Sequence, residues 1–432
     1  MTTKQAIMRR ALGLGTVAFT ALLAAGTLGA QVPAPPQERP VALTGATLHT
    51  ITQGVIPNGT IVFEDGVITA VGANVQIPAG AERIDASGRH VYPGLIDAFS
   101  TMGLTEIGGI TQAIDLNELG TINPNVRAEV AVNPESRHIG VARSSGVLIT
   151  LTSPSGGLIS GLGAAMMLDG WTWEQMTLKS GAALLVNWPS PANENQYARQ
   201  LRELRDAFAA ARSYHNAMKA AREGRGPVHD TDPRWEAMIP VLERDVPVVV
   251  GADMVSQIQD AMTWAEEEGV RLVIRGGRDA GYLADHLARR QIPVVLTSVL
   301  DAPGRAWEPY DQVYGLPARL HAAGVPFAIA GGAGAANANR LPFEAGAAIA
   351  FGLPEEEAVK AVTLYPARFL GIDDRVGSLE PGKEATLLIT TGNPLEYATE
   401  VEQAFIQGRK LDMADQHRQF LQKYMERVDR GR

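Results

Sequence analysis

A chain of 432 residues, 45% hydrophobic and 20% charged, has the composition of a soluble globular protein with room for one large domain or two moderate ones. Its formal charge of −9 excludes the basic groove of a nucleic-acid binder and argues against an anionic membrane surface as partner. The absence of cysteine excludes disulfides, thiolate zinc sites and cysteine nucleophiles.

Lys4, Arg9 and Arg10 form a basic leader without acids, and Ala11 to Ala30 is apolar and rich in Ala, Leu and Gly. Small residues at Gly29-Ala30, followed by Gln31, suit a peptidase, so residues 1–30 read as a bacterial secretory signal peptide. The alternatives are a retained anchor of nearly membrane-spanning length and, through Arg9-Arg10, a twin-arginine signal. The expectation is export to the periplasm or beyond, with no membrane contact after cleavage. Residues 31–40 are a Pro-rich linker.

Residues 41–90 read as short strands. Val41-Ala42-Leu43, Gly59 to Phe63, Val67 to Gly72 and a run around Ala81 to Asp85 are β-rich. Pro57-Asn58-Gly59 and Glu64-Asp65-Gly66 supply turn signals between them. From Val91 onward eight β-like runs follow: Val91–Phe99, Gly146–Thr152, Gly163–Asp169, Ala183–Trp188, Val246–Ala252, Arg271–Gly276, Pro293–Val299 and Pro326–Gly331. Most are continuously apolar, as parallel strands covered on both faces are. Helical spacing separates several of them, at Ser256–Gly269, Ala280–Arg290 and Gln312–Ala323. The expected fold is α/β, a (β/α)8 barrel over residues 91–375. Its third and fourth units leave little room for a helix between strands. Two long insertions, Gly103–Arg143 and Pro189–Pro240, follow strands and are expected at the barrel rim. The second holds a charged helix over Glu194–Arg222, read as a solvated lid or an oligomer contact. Residues 376–412 supply returning strands, and 413–432 a basic amphipathic helix packed on the surface.

Val91-Tyr92-Pro93-Gly94-Leu95-Ile96-Asp97-Ala98-Phe99-Ser100-Thr101 resembles the barrel entry of the amidohydrolase superfamily, the imidazolonepropionase-like, metal-dependent hydrolases. So do Asp65-Gly66-Val67-Ile68-Thr69-Ala70-Val71-Gly72 before it and Val376-Gly377-Ser378-Leu379-Glu380-Pro381-Gly382-Lys383-Glu384-Ala385 near the end. The resemblance covers nearly all of the chain beyond the leader. It implies a composite β-sandwich built from both ends (41–90 and 376–412) beside the barrel. It also implies hydrolysis of C–N bonds with zinc or another divalent metal, held by two histidines after strand one, one after strand five, one after strand six and an Asp after strand eight. A carbamylated Lys after strand four completes the set in some members.

At those positions this chain carries Phe99 and Thr101, Gly251, Arg275, and Ala333 or Gly334. Phenylalanine has no lone pair, and a lone hydroxyl is a poor zinc ligand. Strand four ends at Asn187-Trp188-Pro189, and Lys179 precedes the run. None of the eight His (49, 90, 138, 215, 229, 286, 321, 417) is paired at ligand spacing. Asp97, Asp253 and Asp301 lie near strand ends and offer oxygen to a weakly held cation. Gly331-Gly332-Ala333-Gly334 resembles a dinucleotide loop, but a strand-eight turn explains it better. A guanidinium at Arg275 could occupy the place of the metal and bind a carboxylate of a ligand or of Asp97, or instead pair with Asp279.

The expected function is therefore an exported member of the superfamily with a degenerate metal site and no metal cofactor. It would bind a small molecule, such as one bearing a carboxylate, or support a related hydrolase as a homo- or hetero-oligomer. The alternatives are a true C–N hydrolase working through a divergent oxygen-ligand site or a partner's residues, and a solute-binding module built around Arg275.

Overall fold

The computed structural model describes residues 32–227 and 230–430; the segment 1–30, expected to be a signal peptide, and His229 lie outside them. Pro33–Arg432 form one compact unit. Helices of seven residues or more are numbered below.

The first sheet begins with β1 (Val41–His49), β2 (Val55–Glu64), β3 (Val67–Gly72), β4 (Glu82–Asp85) and β5 (His90–Pro93). Asp65 and Gly66, at φ of 50° and 81°, make the β2–β3 hairpin that their sequence announces. The Pro57-Asn58-Gly59 signal marks no chain reversal. It lies inside β2, opposite register shifts in β1, and a Cβ on Gly59 would meet Leu48 at 2.7 Å. The end of the chain returns with β14 (Leu387–Thr390), β15 (Val401–Ile406) and β16 (Arg409–Lys410). The order is β16-β15-β14-β5-β1-β2-β3, with β4 also beside β1. Both chain ends thus share one eight-stranded sheet over a core that includes Leu43, Phe63, Ile68, Leu387 and Phe405. His49 and His90 belong here: His49 Nε2 lies 2.9 Å from His90 Nδ1, and its ring stacks on Tyr92 at 3.9 Å.

The second sheet holds the barrel strands β6 (Leu95–Ser100), β7 (Val147–Thr152), β8 (Ile159–Met167), β9 (Thr177–Asn187), β10 (Val248–Ala252), β11 (Leu272–Gly276), β12 (Val294–Leu296) and β13 (Phe327–Ile329), in chain order around the sheet. Seven of the eight expected runs each coincide with one strand here; the first, Val91–Phe99, divides at Gly94, with Val91–Pro93 in β5 of the first sheet and only the part from Leu95 onward in β6. The third, β8, runs antiparallel to both neighbours. The links on either side of it, 153–158 and 168–176, are too short for a crossover helix, so β7, β8 and β9 form a meander. The half of β8 that does not face β7 is bridged by the first insertion, through Ile122–Ile159 and Arg127–Leu162.

The helices that follow α1 (Arg137–Ser144) are α2 (Glu194–Arg222), α3 (Val255–Glu268), α4 (Ala284–Arg290), α5 (Leu316–Ala322), α6 (Leu341–Ala350), α7 (Glu355–Ala361), α8 (Leu364–Leu370) and α9 (Gln416–Arg430). Helix α2 is not a lid. Leu204, Ala207, Phe208 and Ala211 bury one of its faces, and Phe208 packs edge-on against Trp264 of α3 at 5.0 Å. It is the crossover between β9 and β10, with its charges turned outward. Lys179 lies within β9, and its ammonium donates to the Leu370 and Gly371 carbonyls at the end of α8. Helix α9 lies beside α1 but buries none of its side chains.

Candidate functional site at the barrel mouth

Strand β6 ends in Asp97, Ala98 and Phe99, all buried. Strict alternation would send residues 97, 99 and 101 to one side, but the pairing with β7 is irregular between Asp97 and Ser100, and Thr101 lies past the strand. The Asp97 carboxylate stays between strand one and strand eight. Its Oδ1 accepts the Gly331 N–H at 3.1 Å and the Phe99 N–H at 3.3 Å. No ladder joins β13 to β6 among the described residues; this carboxylate bridges the seam instead, while the Ile96 N–H donates to Val362 O, between α7 and α8, at 2.8 Å. Burial pushes the Asp97 carboxyl up to about 7; the two N–H donors oppose the shift, and the Glu344 charge adds to it. Thr101 also serves the strand-eight loop, its Oγ1 accepting the Ala335 N–H at 3.0 Å. Asp97 and Thr101 thus tie strand one to the strand-eight loop.

Phe99, Gly251 and Arg275, from strands one, five and six, converge. The Arg275 guanidinium lies over the Phe99 ring, 4.4 Å from its centroid. A Cβ on Gly251 would stand 2.2 Å from Arg275 Nη2, so the absence of a side chain at 251 is what admits the guanidinium. Arg275 Nη2 donates to Asn187 Oδ1 at 3.2 Å, while Asn187 Nδ2 donates to Ser160 Oγ at 3.0 Å and to the Gly157 carbonyl at 3.1 Å. The strand-four position therefore holds an amide that orients Arg275. Arg275 Nε is buried without a partner, and among the described residues Arg275 makes no ion pair. Desolvation pulls its basicity below the usual guanidinium range, partly offset by the charge of Asp253.

The alternative partner for Arg275 is already engaged elsewhere. Asp279 is held by Arg305 through two contacts of 2.7 Å. Asp253 is exposed, accepts the Arg278 N–H at 3.3 Å, and lies so close to Gly276 that a Cβ there would meet it at 2.4 Å. Asp301 pairs with Arg278 at 3.4 Å. Ala333, at φ 40°, and Gly334 form the turn after β13, as the strand-eight reading expects. Their side chains bring no donor to the mouth. The described histidines lie elsewhere; His138, for example, is 3.1 Å from Glu106 O within the first insertion.

A divalent ion at this mouth would need several nitrogen or oxygen ligands converging on one point. The positions hold a phenyl ring, an engaged hydroxyl, a hydrogen atom and a guanidinium. Among the described residues no three His, Asp or Glu side chains gather at metal-binding distance. The residues do not fit the family's metal.

Two contributors escaped the sequence reading. Asn187 was visible only as a strand end. Glu344 sits in the apolar turn Leu341-Pro342-Phe343-Glu344 of α6 and is fully buried. Its Oε2 accepts the Val299 and Leu300 N–H groups at 2.6 and 2.7 Å, and Arg340 pairs with it at 3.1 Å. An acid inside an apolar helix is the signal that could have found it.

An eight-stranded barrel sheet beside a sheet made from both chain ends, with the Pro-Gly-Leu-Ile-Asp entry into strand one, defines the class: the chain belongs to the amidohydrolase superfamily. A profile of the amidohydrolase family matches residues 311–411. Amidohydrolase tasK of Hapsidospora irregularis is 24% identical over 393 residues, 81% of this chain, and the alignment spans only 39% of that larger protein. The imidazolonepropionase of Geobacillus kaustophilus is 26% identical over 392 residues, covering 78% of this chain and 84% of its own length. The crystal structure of an amidohydrolase from Thermotoga maritima superposes with a TM-score of 0.79 at 27% identity, over 86% of this chain and 99% of that one.

Proposed function

We propose that this chain is a non-hydrolytic member of its superfamily, exported from a bacterial cell, whose barrel mouth binds a carboxylate-bearing small molecule. The observation that carries this reading is the guanidinium of Arg275, seated over Phe99 in the space that Gly251 leaves open, with no carboxylate paired to it among the described residues. A partly buried cation without a counter-charge is costly, and an incoming anion relieves that cost. Nε and Nη1 donate to nothing among the described residues, while Nη2 is held by Asn187. A carboxylate can take a guanidinium edge in two parallel charge-assisted bonds. Phe99 fixes the cation from the opposite face. Phe99, Asn187 and Arg275 supply neither a nucleophile nor a general base, so the site supports recognition rather than bond cleavage.

The test is calorimetric titration of the purified chain with a panel of small mono- and dicarboxylates, alongside Arg275→Ala. Saturable binding by wild type is expected, weakened in the variant by about 2 to 4 kcal/mol, or roughly 30- to 1000-fold in Kd. Absence of any carboxylate binding, or amide hydrolysis abolished by a chelator, would overturn the reading.

A further inference from the structure

Helix α9 presents a second surface, unrelated to the barrel mouth. It starts on a fixed root. Asp415 is buried and caps it, accepting the His417 and Arg418 N–H groups at 2.6 and 3.0 Å. Leu411 and Met413 just before it are buried in the main core. Arg418 reaches back to Val401 O at 3.4 Å. Beyond that root the helix is bare. Phe420, Leu421, Tyr424, Met425 and Val428 are all between 46% and 65% exposed. At 3.6 residues per turn they fall within one arc of about 140°.

The charges are sorted around that arc. Lys423, Arg427 and Arg430 border one edge; Arg418, paired with the buried Asp415 at the root, and Asp429 share the other, while Glu426 lies on the far side. A helix with a wide apolar face, a row of three cations along one border and polar residues around the rest of its circumference is built to lie in the interface of a bilayer, its cations reaching anionic headgroups. The alternative of pairing with a second copy meets an obstacle in the same pattern. An antiparallel pair of these helices would set Lys423, Arg427 and Arg430 against the same edge of the other copy. The net charge of −9 on the whole chain does not oppose docking. Charges more than about 8–10 Å away are screened at physiological salt, so the local cations decide.

We propose that α9 docks this protein on an anionic phospholipid surface, with Phe420, Leu421, Tyr424, Met425 and Val428 seated among the acyl chains and Lys423, Arg427 and Arg430 at the headgroups. This departs from the expectation of no membrane contact. The test is flotation with vesicles, using the chain from Gln31 onward, because Pro33–Arg432 form one compact unit and the apolar leader would obscure the result. Wild type should float with phosphatidylglycerol vesicles, bind pure phosphatidylcholine at least about tenfold more weakly, and detach as salt rises. Leu421→Glu/Met425→Glu should abolish flotation, and Lys423→Glu/Arg427→Glu should weaken it at least about tenfold. Neither pair touches a buried residue of the helix, so melting curves should match wild type. No flotation of wild type, or equal flotation of Leu421→Glu/Met425→Glu, would overturn the proposal. So would a wild-type dimer that this variant converts to monomer, which would assign the face to a second copy.

Discussion

Replacing Asp97 by Asn should stabilise the protein at neutral and alkaline pH and change little at acid pH. The carboxyl is 1% exposed, and burial lifts it from 3.8 to about 7. Between those values the folded chain holds a proton that the unfolded chain has released, so stability from this group falls as pH rises through the window and is lowest above about 7. A shift of about 3 units corresponds to at most about 4 kcal/mol; relaxation and water access in a real interior reduce it, and about 2 kcal/mol is the expected gain. Asparagine keeps an oxygen for the Gly331 and Phe99 N–H donors and carries no charge. His49 confounds the wild-type profile alone. Burial and the neighbouring His90 lower it from 6.5 to about 4, so its contribution rises with pH across much of the same window. The readout is therefore the difference between Asp97→Asn and wild type in urea denaturation at about pH 4, 5.5 and 8. The difference should grow with pH. A variant less stable than wild type at pH 8, with no trend, would show that the two N–H donors hold an ionised carboxylate favourably and would refute the reasoning.

Removing the His49 ring with His49→Gln should flatten the acid limb of the stability profile between about pH 4 and 6.5, seen as a smaller loss of Tm on acidification. Gly251→Ala should push the guanidinium off Phe99, because the new methyl would stand where Nη2 lies. Carboxylate affinity should fall at least about tenfold, measured by calorimetry, with Tm changed by only a few degrees, since a flexible side chain can yield. Asp169→Asn should cost about 3 kcal/mol in urea denaturation. That carboxylate is buried, pairs with Arg143 at 2.8 Å and Arg409 at 2.5 Å, and accepts the Ala34 N–H at 3.2 Å.

The sequence carried the barrel because its strands are apolar runs, and an apolar run is readable without knowing its neighbours. It did not carry the direction of β8, which depends on how β7 and β9 approach, although the short links around it pointed to trouble. Phe99, Gly251 and Arg275 were readable as strand-end residues, since each closes an apolar run. That Arg275 lies over Phe99 was not readable, because it needs the empty space at Gly251, on a strand far from strand one in the chain. The closing role of Asp97 depends on Gly331, 234 residues away. Asp279 offered itself to Arg275 by proximity in sequence, and only the fold shows Arg305 there first. The apolar face of α9 was visible as a pattern, but whether it packs down is a tertiary fact, and here it does not.

The central claim is that a guanidinium, not a metal ion, organises this barrel mouth. Zinc titration of the purified chain, followed by metal quantification after desalting, tests it most directly. The arrangement of Phe99, Gly251 and Arg275 predicts zinc far below one ion per chain and no change in melting temperature on chelation. One tightly held zinc per chain, lost together with stability on chelation, would contradict it.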